Sequence, residues 1–351
     1  MLQESKAAID KIIRKGRIHF YKPIQIAEIL YHNRLKLDDF DVSDVETYRN
    51  PSKRWRDEVT RKLVGRVSTS SQKYQDNLFE NNAVPPHLLV PLAHENNVKK
   101  GMVENYIYHR FKERQQDVLD AYAYLTDSTT DTFSLAEFLN YFEHRAGLKR
   151  SVDKAFEIVV YALFSTLVHE LQAQITLTLN QPNPAVIADF DKFIEYVLGL
   201  RSGETSMTIS ATMYRGGVTN AADRGLDIVT NFGPAIQVKH LRLDESIAED
   251  ISEGVAIDDI VIVCKTADAK IIHSILNQMG IGIRGIITQD NLEEWYHLCQ
   301  TKYASQMGET LLESLISEFA QEFPLLDQLQ SFLDKRGYAA SDLHGEFIIP
   351  S

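Results

Sequence analysis

Cysteine is almost absent: Cys264 and Cys299 are the only two in 351 residues. One falls in an expected strand and the other in an expected helix, with no Cys/His spacing of a zinc site. The chain therefore encodes neither a disulfide framework nor a zinc centre, and both residues read as reduced thiols. Also missing is any apolar run approaching the roughly 18 residues of a membrane span, and the start, Met1 to Lys6, lacks the apolar core of a signal peptide. A globular, cytoplasmic protein is expected. Positive charge is not in excess either. The formal net charge is -12, which argues against loose electrostatic binding to nucleic acid, because such binding comes from counterion release by Lys and Arg. No internal repeat or low-complexity linker divides the chain. With 44% hydrophobic residues, it can bury a sizeable core in one large or two ordinary domains.

What is present begins with helices. Residues 3 to 34 carry Ile9, Ile12 and Ile13, then Ile24, Ile26, Ala27, Ile29 and Leu30, at helical spacing, with Pro23 able to open the second segment. Asp38 to Tyr48 reads as an acidic connector, and Asn50, Pro51 and Ser52 as a break before a helix carrying Trp55, Val59 and Leu63. That helix opens a basic stretch on an acidic molecule: Arg49 to Lys73 holds Lys53, Arg54, Arg56, Arg61 and Arg66 against only Asp57 and Glu58. Such local asymmetry suits a specific DNA site, and a solvated helix face is the blander reading. Val67 to Asn77 follows as a long polar loop with Ser70, Gln72, Lys73, Gln75 and Asn77. Hydroxyls and amides bond phosphates and read base edges, although a disordered connector has the same composition. From Val84 to Arg145 the chain is again mostly helical, its aromatics reading as core.

Downstream the periodicity changes to an alternation of strands and helices. Ser151 to Leu171 is a strong helix with an apolar stripe. Ile175 to Leu179 is a strand, Ala185 to Leu200 a helix, and Thr208 to Tyr214 a strand leading into a hairpin. After the hairpin come helix Asp244 to Glu253, buried strand Ile257 to Cys264, helix Ala267 to Met279 and strand Ile283 to Thr288. Glu309 to Leu333 is helical and the tail extended. The expected divisions are a mainly helical region 1–147, a core 148–300 and a C-terminal segment 301–351.

The hairpin is the most informative stretch. Leu226 and Ile228 alternate with Asp227 and Val229, and Ile236 and Val238 with Gln237 and Lys239. Asn231, Phe232 and Gly233 suit a three-residue loop whose last position is left-handed. That loop sets Ile228 opposite Ile236, Leu226 opposite Val238, and Asp227 opposite Gln237. An acid, an amide and a lysine then share one strand face. They form either a solvated edge or a site, and the buried strands that follow, with the Gly-, Asn- and Arg-rich loop Arg215 to Arg224, favour a site.

The spacing Asp227, ten residues, Gln237, one residue, Lys239 resembles the active-site hairpin of the PD-(D/E)xK nuclease superfamily, in the Gln-x-Lys form of Mrr-like enzymes. The resemblance covers roughly Ser151 to Gln289. It implies a restriction-endonuclease-like α+β or α/β core with a mixed central sheet flanked by helices. It also implies divalent metal ligands from Asp227, Gln237 and the carbonyl of Val238, and a lysine, Lys239, that positions water or steadies the phosphate. Phe156-Glu157 resembles the Phe-Glu that opens such cores, which makes Glu157 a further carboxylate, with Glu170 as its rival. Gln237 departs from the commoner carboxylate, and an amide oxygen attracts a hard cation less.

The runs Tyr48 to Val59, Ser68 to Asn77 and Tyr214 to Asp227 are similar to those of HaeII-like Type II restriction endonucleases, over nearly the whole chain. That resemblance implies a homodimer that cuts double-stranded DNA at a short palindromic site with Mg2+, beside a cognate DNA methyltransferase acting on the same site. The expected DNA contacts are Lys53, Arg54, Arg56, Arg61, Arg66, Ser70, Gln72, Lys73, Gln75, Asn77, Arg215, Asn220 and Arg224. A repair or junction-resolving nuclease with the same core, and a catalytically silent DNA-binding protein, are the alternatives.

Overall fold

The computed structural model describes residues 1–80, 83–216, 226–243, 259–267, 283–326, 328–338 and 347. Contacts divide the chain into two units, 1–156 with 316–351, and 157–315. Among the described residues, no helix is long and apolar enough to cross a membrane.

The first unit is helical: α1 (Leu2–Lys15), α2 (Tyr21–Leu35), α3 (Val45–Val64), α4 (Gln72–Asp76), α5 (Pro86–Val98), α6 (Met102–Asp127) and α7 (Leu135–His144). Helix α2 is buried all round from Pro23 to Leu30. Ile24, Ile26, Ala27, Ile29 and Leu30 are fully buried because α3, α5 and α6 surround it. The polar groups it takes inside are all bonded. Gln25 donates to Ser52 (2.9 Å), and Glu28 accepts from the Tyr108 hydroxyl (2.5 Å) and from the Arg336 guanidinium (2.9 Å). Arg336 follows a late helix of the chain, Leu329–Lys335, whose Leu329, Phe332 and Leu333 join this same core.

Two local expectations change here. Asn50, Pro51 and Ser52 do not break the chain, since α3 starts at Val45, capped by the Asp44 carboxylate on Glu46 N–H (3.1 Å), and runs through Pro51. The Ser52 hydroxyl donates to the Arg49 carbonyl (3.1 Å) and accepts from Gln25, bonds that hold the turn where proline supplies no N–H. The polar run 67–77 is not one long loop either. Ser71 accepts from Tyr74 N–H (3.3 Å) and caps α4, and a 3-10 turn, Asn77–Phe79, follows.

Helix α8 (Val152–Glu170) leads into the second unit, where the Tyr161 hydroxyl donates to the Met213 carbonyl (3.3 Å) and ties it to a sheet of five strands in chain order: β3 (Met213–Arg215), β4 (Ile228–Thr230), β5 (Ala235–Leu243), β6 (Ile260–Ala267) and β7 (Ile283–Thr288). The pairs β3–β4 and β4–β5 are antiparallel, and β5–β6 and β6–β7 parallel, so the sheet is mixed. Ala235 to Val238 are consecutively buried, as are Ile262 to Cys264, the mark of strands covered on both faces. Helix α10 (Gln289–Gln300) ties back to α8 through the Tyr296 hydroxyl, which donates to the Val159 carbonyl (2.9 Å). A further helix, α11 (Glu309–Glu322), follows, and Leu329–Lys335 is α12.

The expected strand Thr208 to Tyr214 divides at Ala211 and Thr212. Its first half, β2 (Ser206–Ser210), pairs with β1 (Gln174–Thr178) in a separate two-stranded ribbon, and only its second half enters the main sheet. Between β1 and β2 lie α9 (Pro184–Asp189) and two short turns rather than one helix. The helices expected over 244–253 and 267–279 lie outside the described residues.

One titration follows from the first unit. His19 stacks on Tyr21, ring centroids 5.4 Å apart, and burial, reinforced by Arg66 and Arg17 against Glu322, pushes its pKa down to about 4. The folded protein then refuses a proton that the unfolded chain accepts near its ordinary 6.5. Its contribution to stability is complete above that value and falls as pH drops toward 4, by about 2 kcal/mol at pH 5. Urea midpoints at pH 7 and pH 5 should differ by less in His19→Gln than in the natural chain, and equal differences would contradict the assignment.

Candidate active site

The hairpin between β4 and β5 has the register that its turn length implies, Ile228 opposite Ile236 and Val229 opposite Ala235. Gly233 takes a φ of 122°, which a residue with a Cβ rarely adopts, and the Thr230 hydroxyl closes the turn on the Pro234 carbonyl (2.8 Å). Asn231 anchors it from outside, its side chain accepting from Thr212 N–H (2.8 Å) and donating to the Ser210 carbonyl (3.0 Å).

This register brings Asp227 against Gln237. One carboxylate oxygen of Asp227 accepts from the Gln237 amide (2.9 Å) and from the backbone N–H of Val238 (2.8 Å). An ionised carboxylate offers only acceptors, so the NH2 of Gln237 must be the end that faces it. The amide oxygen of Gln237 then points the other way. It is buried and accepts no hydrogen bond among the described residues. Burying an acceptor without a donor costs free energy, and a hard divalent cation takes such oxygens readily. Lys239 lies two residues along β5, on the strand face of Gln237, and is half-buried.

Glu157 is buried on α8, with the Arg215 guanidinium 3.2 Å from its carboxylate. Arg215 sits opposite Ile228, which sits opposite Ile236. Directly opposed side chains share a sheet face, so Arg215 lies on the face away from Gln237. The structure thus joins Asp227, Gln237 and Val238, sets Lys239 on the strand face of Gln237, and pairs Glu157 with Arg215. Glu170 is exposed at the end of α8. Among the described residues, no three His, Cys, Asp or Glu side chains stand together as a metal cluster. The Glu157–Arg215 pair spans 58 positions, and neither spacing nor periodicity signals it.

The basic stretch belongs to the first unit. Arg54, Arg61, Gln72 and Lys73 are exposed. Others are engaged within the fold. Arg56 is 1% exposed and donates to Gln25 (3.0 Å), Asp57 (2.8 Å) and Gln75 (3.3 Å). Gln75 also donates to the Ser70 carbonyl (2.6 Å), Lys53 pairs with Asp76 (2.5 Å), Asn77 accepts from Lys22, and Arg66 donates to the Gln321 carbonyl. Asn220 and Arg224 lie outside the described residues.

The mixed sheet and its flanking helices are consistent with an α+β restriction-endonuclease-like fold. The family described as HaeII restriction endonuclease matches residues 5–338, and the chain belongs to that family. It is 46% identical over 347 residues to the Type II restriction enzyme NgoBI of Neisseria gonorrhoeae, covering 97% of this chain and 98% of the relative. It is also 46% identical over 342 residues to the Type II restriction enzyme HaeII of Haemophilus aegyptius, covering 96% and 97%. No solved structure matches the chain. Membership implies a DNA substrate and a divalent metal cofactor.

The placement of Arg56 sets an expectation for stability. Arg56→Ala removes a buried charge and leaves Asp57, Gln25 and Gln75 short of a donor, which should cost about 3 kcal/mol. Arg54→Ala, at an exposed position of the same helix, should stay within about 0.5 kcal/mol. Equal urea midpoints for the two variants would show that the Arg56 bonds contribute nothing.

Proposed function

We propose that this chain is a Type II restriction endonuclease that hydrolyses both strands of double-stranded DNA at a short palindromic site, with Mg2+, as a homodimer. A cognate methyltransferase would modify the same site. The observation that carries the reading is the Asp227 carboxylate held by the Gln237 amide and the Val238 N–H, with Lys239 two residues further along β5.

The residues present fit a divalent cation. Asp227 supplies the charge, Gln237 the buried amide oxygen, and Val238 a carbonyl beside them. When bound, the cation offsets charge on the scissile phosphate and eases ionisation of the attacking water. Lys239 would orient that water for in-line attack or steady a phosphate oxygen. Glu157 reaches the sheet through Arg215, which favours a supporting role in which it fixes β3 beside the hairpin. On the first unit, exposed Arg54, Arg61 and Lys73 suit phosphate contacts and Gln72 a base edge, whereas Arg56 and Gln75 are committed to the scaffold.

One observation favours a second reading. An amide stands where the superfamily usually has a carboxylate, and Glu157 already faces a guanidinium, as in a DNA-binding protein that has lost its chemistry. Plasmid digestion in Mg2+ and in EDTA separates the two. Discrete fragments in Mg2+ alone support the enzyme, smears or branch-dependent cuts indicate another nuclease, and a mobility shift without cleavage supports the binder. Asp227→Ala should reduce cleavage at least about 100-fold while leaving a folded protein that binds DNA. Cleavage at the natural rate would remove Asp227 from the site.

Gln237→Glu tests the amide. It sets two carboxylates within the 2.9 Å now spanned by a hydrogen bond. Like charges so close repel, so the thermal midpoint in EDTA should fall below that of the natural chain, and Mg2+ should raise it by more than it raises the natural one. Cleavage should be kept or increased. An inactive Gln237→Glu that still folds and responds to Mg2+ would show that the amide has a role of its own.

A further inference from the structure

The insertion between β1 and β2, together with that ribbon, has almost no core. From Leu171 to Ser210 the only fully buried residue is Leu200. A two-stranded ribbon alone is marginally stable in water, and this one is amphipathic by register. Ile175 opposes Ile209 and Leu177 opposes Met207 on one face, while Thr176 and Thr208 share a hydroxyl hydrogen bond (3.0 Å) on the other. Leu177 and Ile209 remain exposed on the apolar face.

Beside it, Val186, Phe190, Phe193 and Val197 recur at intervals of four, three and four residues. They lie on α9 and the two short turns that follow it, with Phe190 at the break between them. Each is more than half exposed, and so is the neighbouring Tyr196. Summed with Leu171, Leu177 and Ile209, the exposed parts of these residues come to on the order of 900 Å2, near the ~800 Å2 that each partner of a stable dimer contributes.

The charge of this arm disfavours DNA as its cover. It carries Asp189, Asp191, Glu195 and Glu204 against Lys192 and Arg201, an acidic balance that repels phosphates. The arm is also rooted at the site, because Asn231 of the hairpin turn bonds both Thr212 and the Ser210 carbonyl at the end of β2. One hairpin serves one strand, and a duplex has two.

We infer that the arm 171–210 is the dimerisation surface of this protein, its Val186–Phe190–Phe193–Val197 stripe packing against a second copy of the chain. The inference builds on the homodimer proposed above and assigns its interface. In a two-fold contact the same patch serves both copies, and both hairpins are then held by one apolar seam.

The test measures mass without DNA, so its outcome is independent of the digestion experiment. By light scattering at micromolar concentration, the full chain should be a dimer, and Phe193→Glu combined with Tyr196→Glu should be a monomer with an unchanged far-UV spectrum. Both positions are exposed in the single chain, so the substitutions leave its own packing intact. Because Cys264 and Cys299 are buried, Phe190→Cys provides an independent reading. A short bismaleimide should link the two copies of that variant and should fail to link the natural chain. A monomeric natural chain, a Phe193→Glu/Tyr196→Glu variant that stays dimeric, or a Phe190→Cys variant that does not crosslink would each overturn the assignment.

Discussion

The contact on which the site depends is the carboxylate of Asp227 gripping the strand opposite it. One oxygen takes a side-chain amide and a backbone N–H of adjacent residues, so the acid is fixed in position and the amide in orientation. Gln237 is buried between β4 and β6, where it has little freedom to turn. With its nitrogen bonded to Asp227, the only direction left for its oxygen is into the site. A glutamate there would have two equivalent oxygens and would need a cation to lie beside Asp227. The amide can be packed first and, in the proposed reading, would meet the cation afterwards.

The same economy of charge shapes the helical unit. Its interior holds Glu28 bonded to Tyr108 and Arg336, Glu104 paired with Arg34 (2.5 Å), and Arg56 among Gln25, Asp57 and Gln75. Burial raises the Glu104 carboxyl to about 7 even against its arginine, which shows how costly ionisation is there. Such pairs contribute little net stability, but each would be expensive to break. They also bring distant segments together, since the Glu28–Arg336 bond joins residues 308 positions apart and commits the end of the chain to its beginning.

Legibility followed the range of the interaction. The hairpin was readable because a three-residue loop with a left-handed glycine admits one register, and alternation then assigns every side chain to a face. Pro51 and the polar run 67–77 misled for a related reason. Proline and hydroxyl-rich segments disfavour helix on their own, and what overrides them, the Ser52–Gln25 bond and the Asp76 pairing with Lys53, comes from elsewhere in the chain. The ion pair between Glu157, expected as a metal ligand, and Arg215, expected as a DNA contact, left no trace in either segment.

By itself the sequence determined the class of fold, the strand register and the meeting of Asp227 and Gln237, because each rests on periodicity and turn geometry over a dozen residues. Only the tertiary structure decided which charges face solvent and which are spent inside, since burial and partner choice depend on segments scores or hundreds of residues away. It therefore separated Arg54 and Arg61 from Arg56, set Glu157 against Arg215, and left the stripe from Val186 to Val197 uncovered.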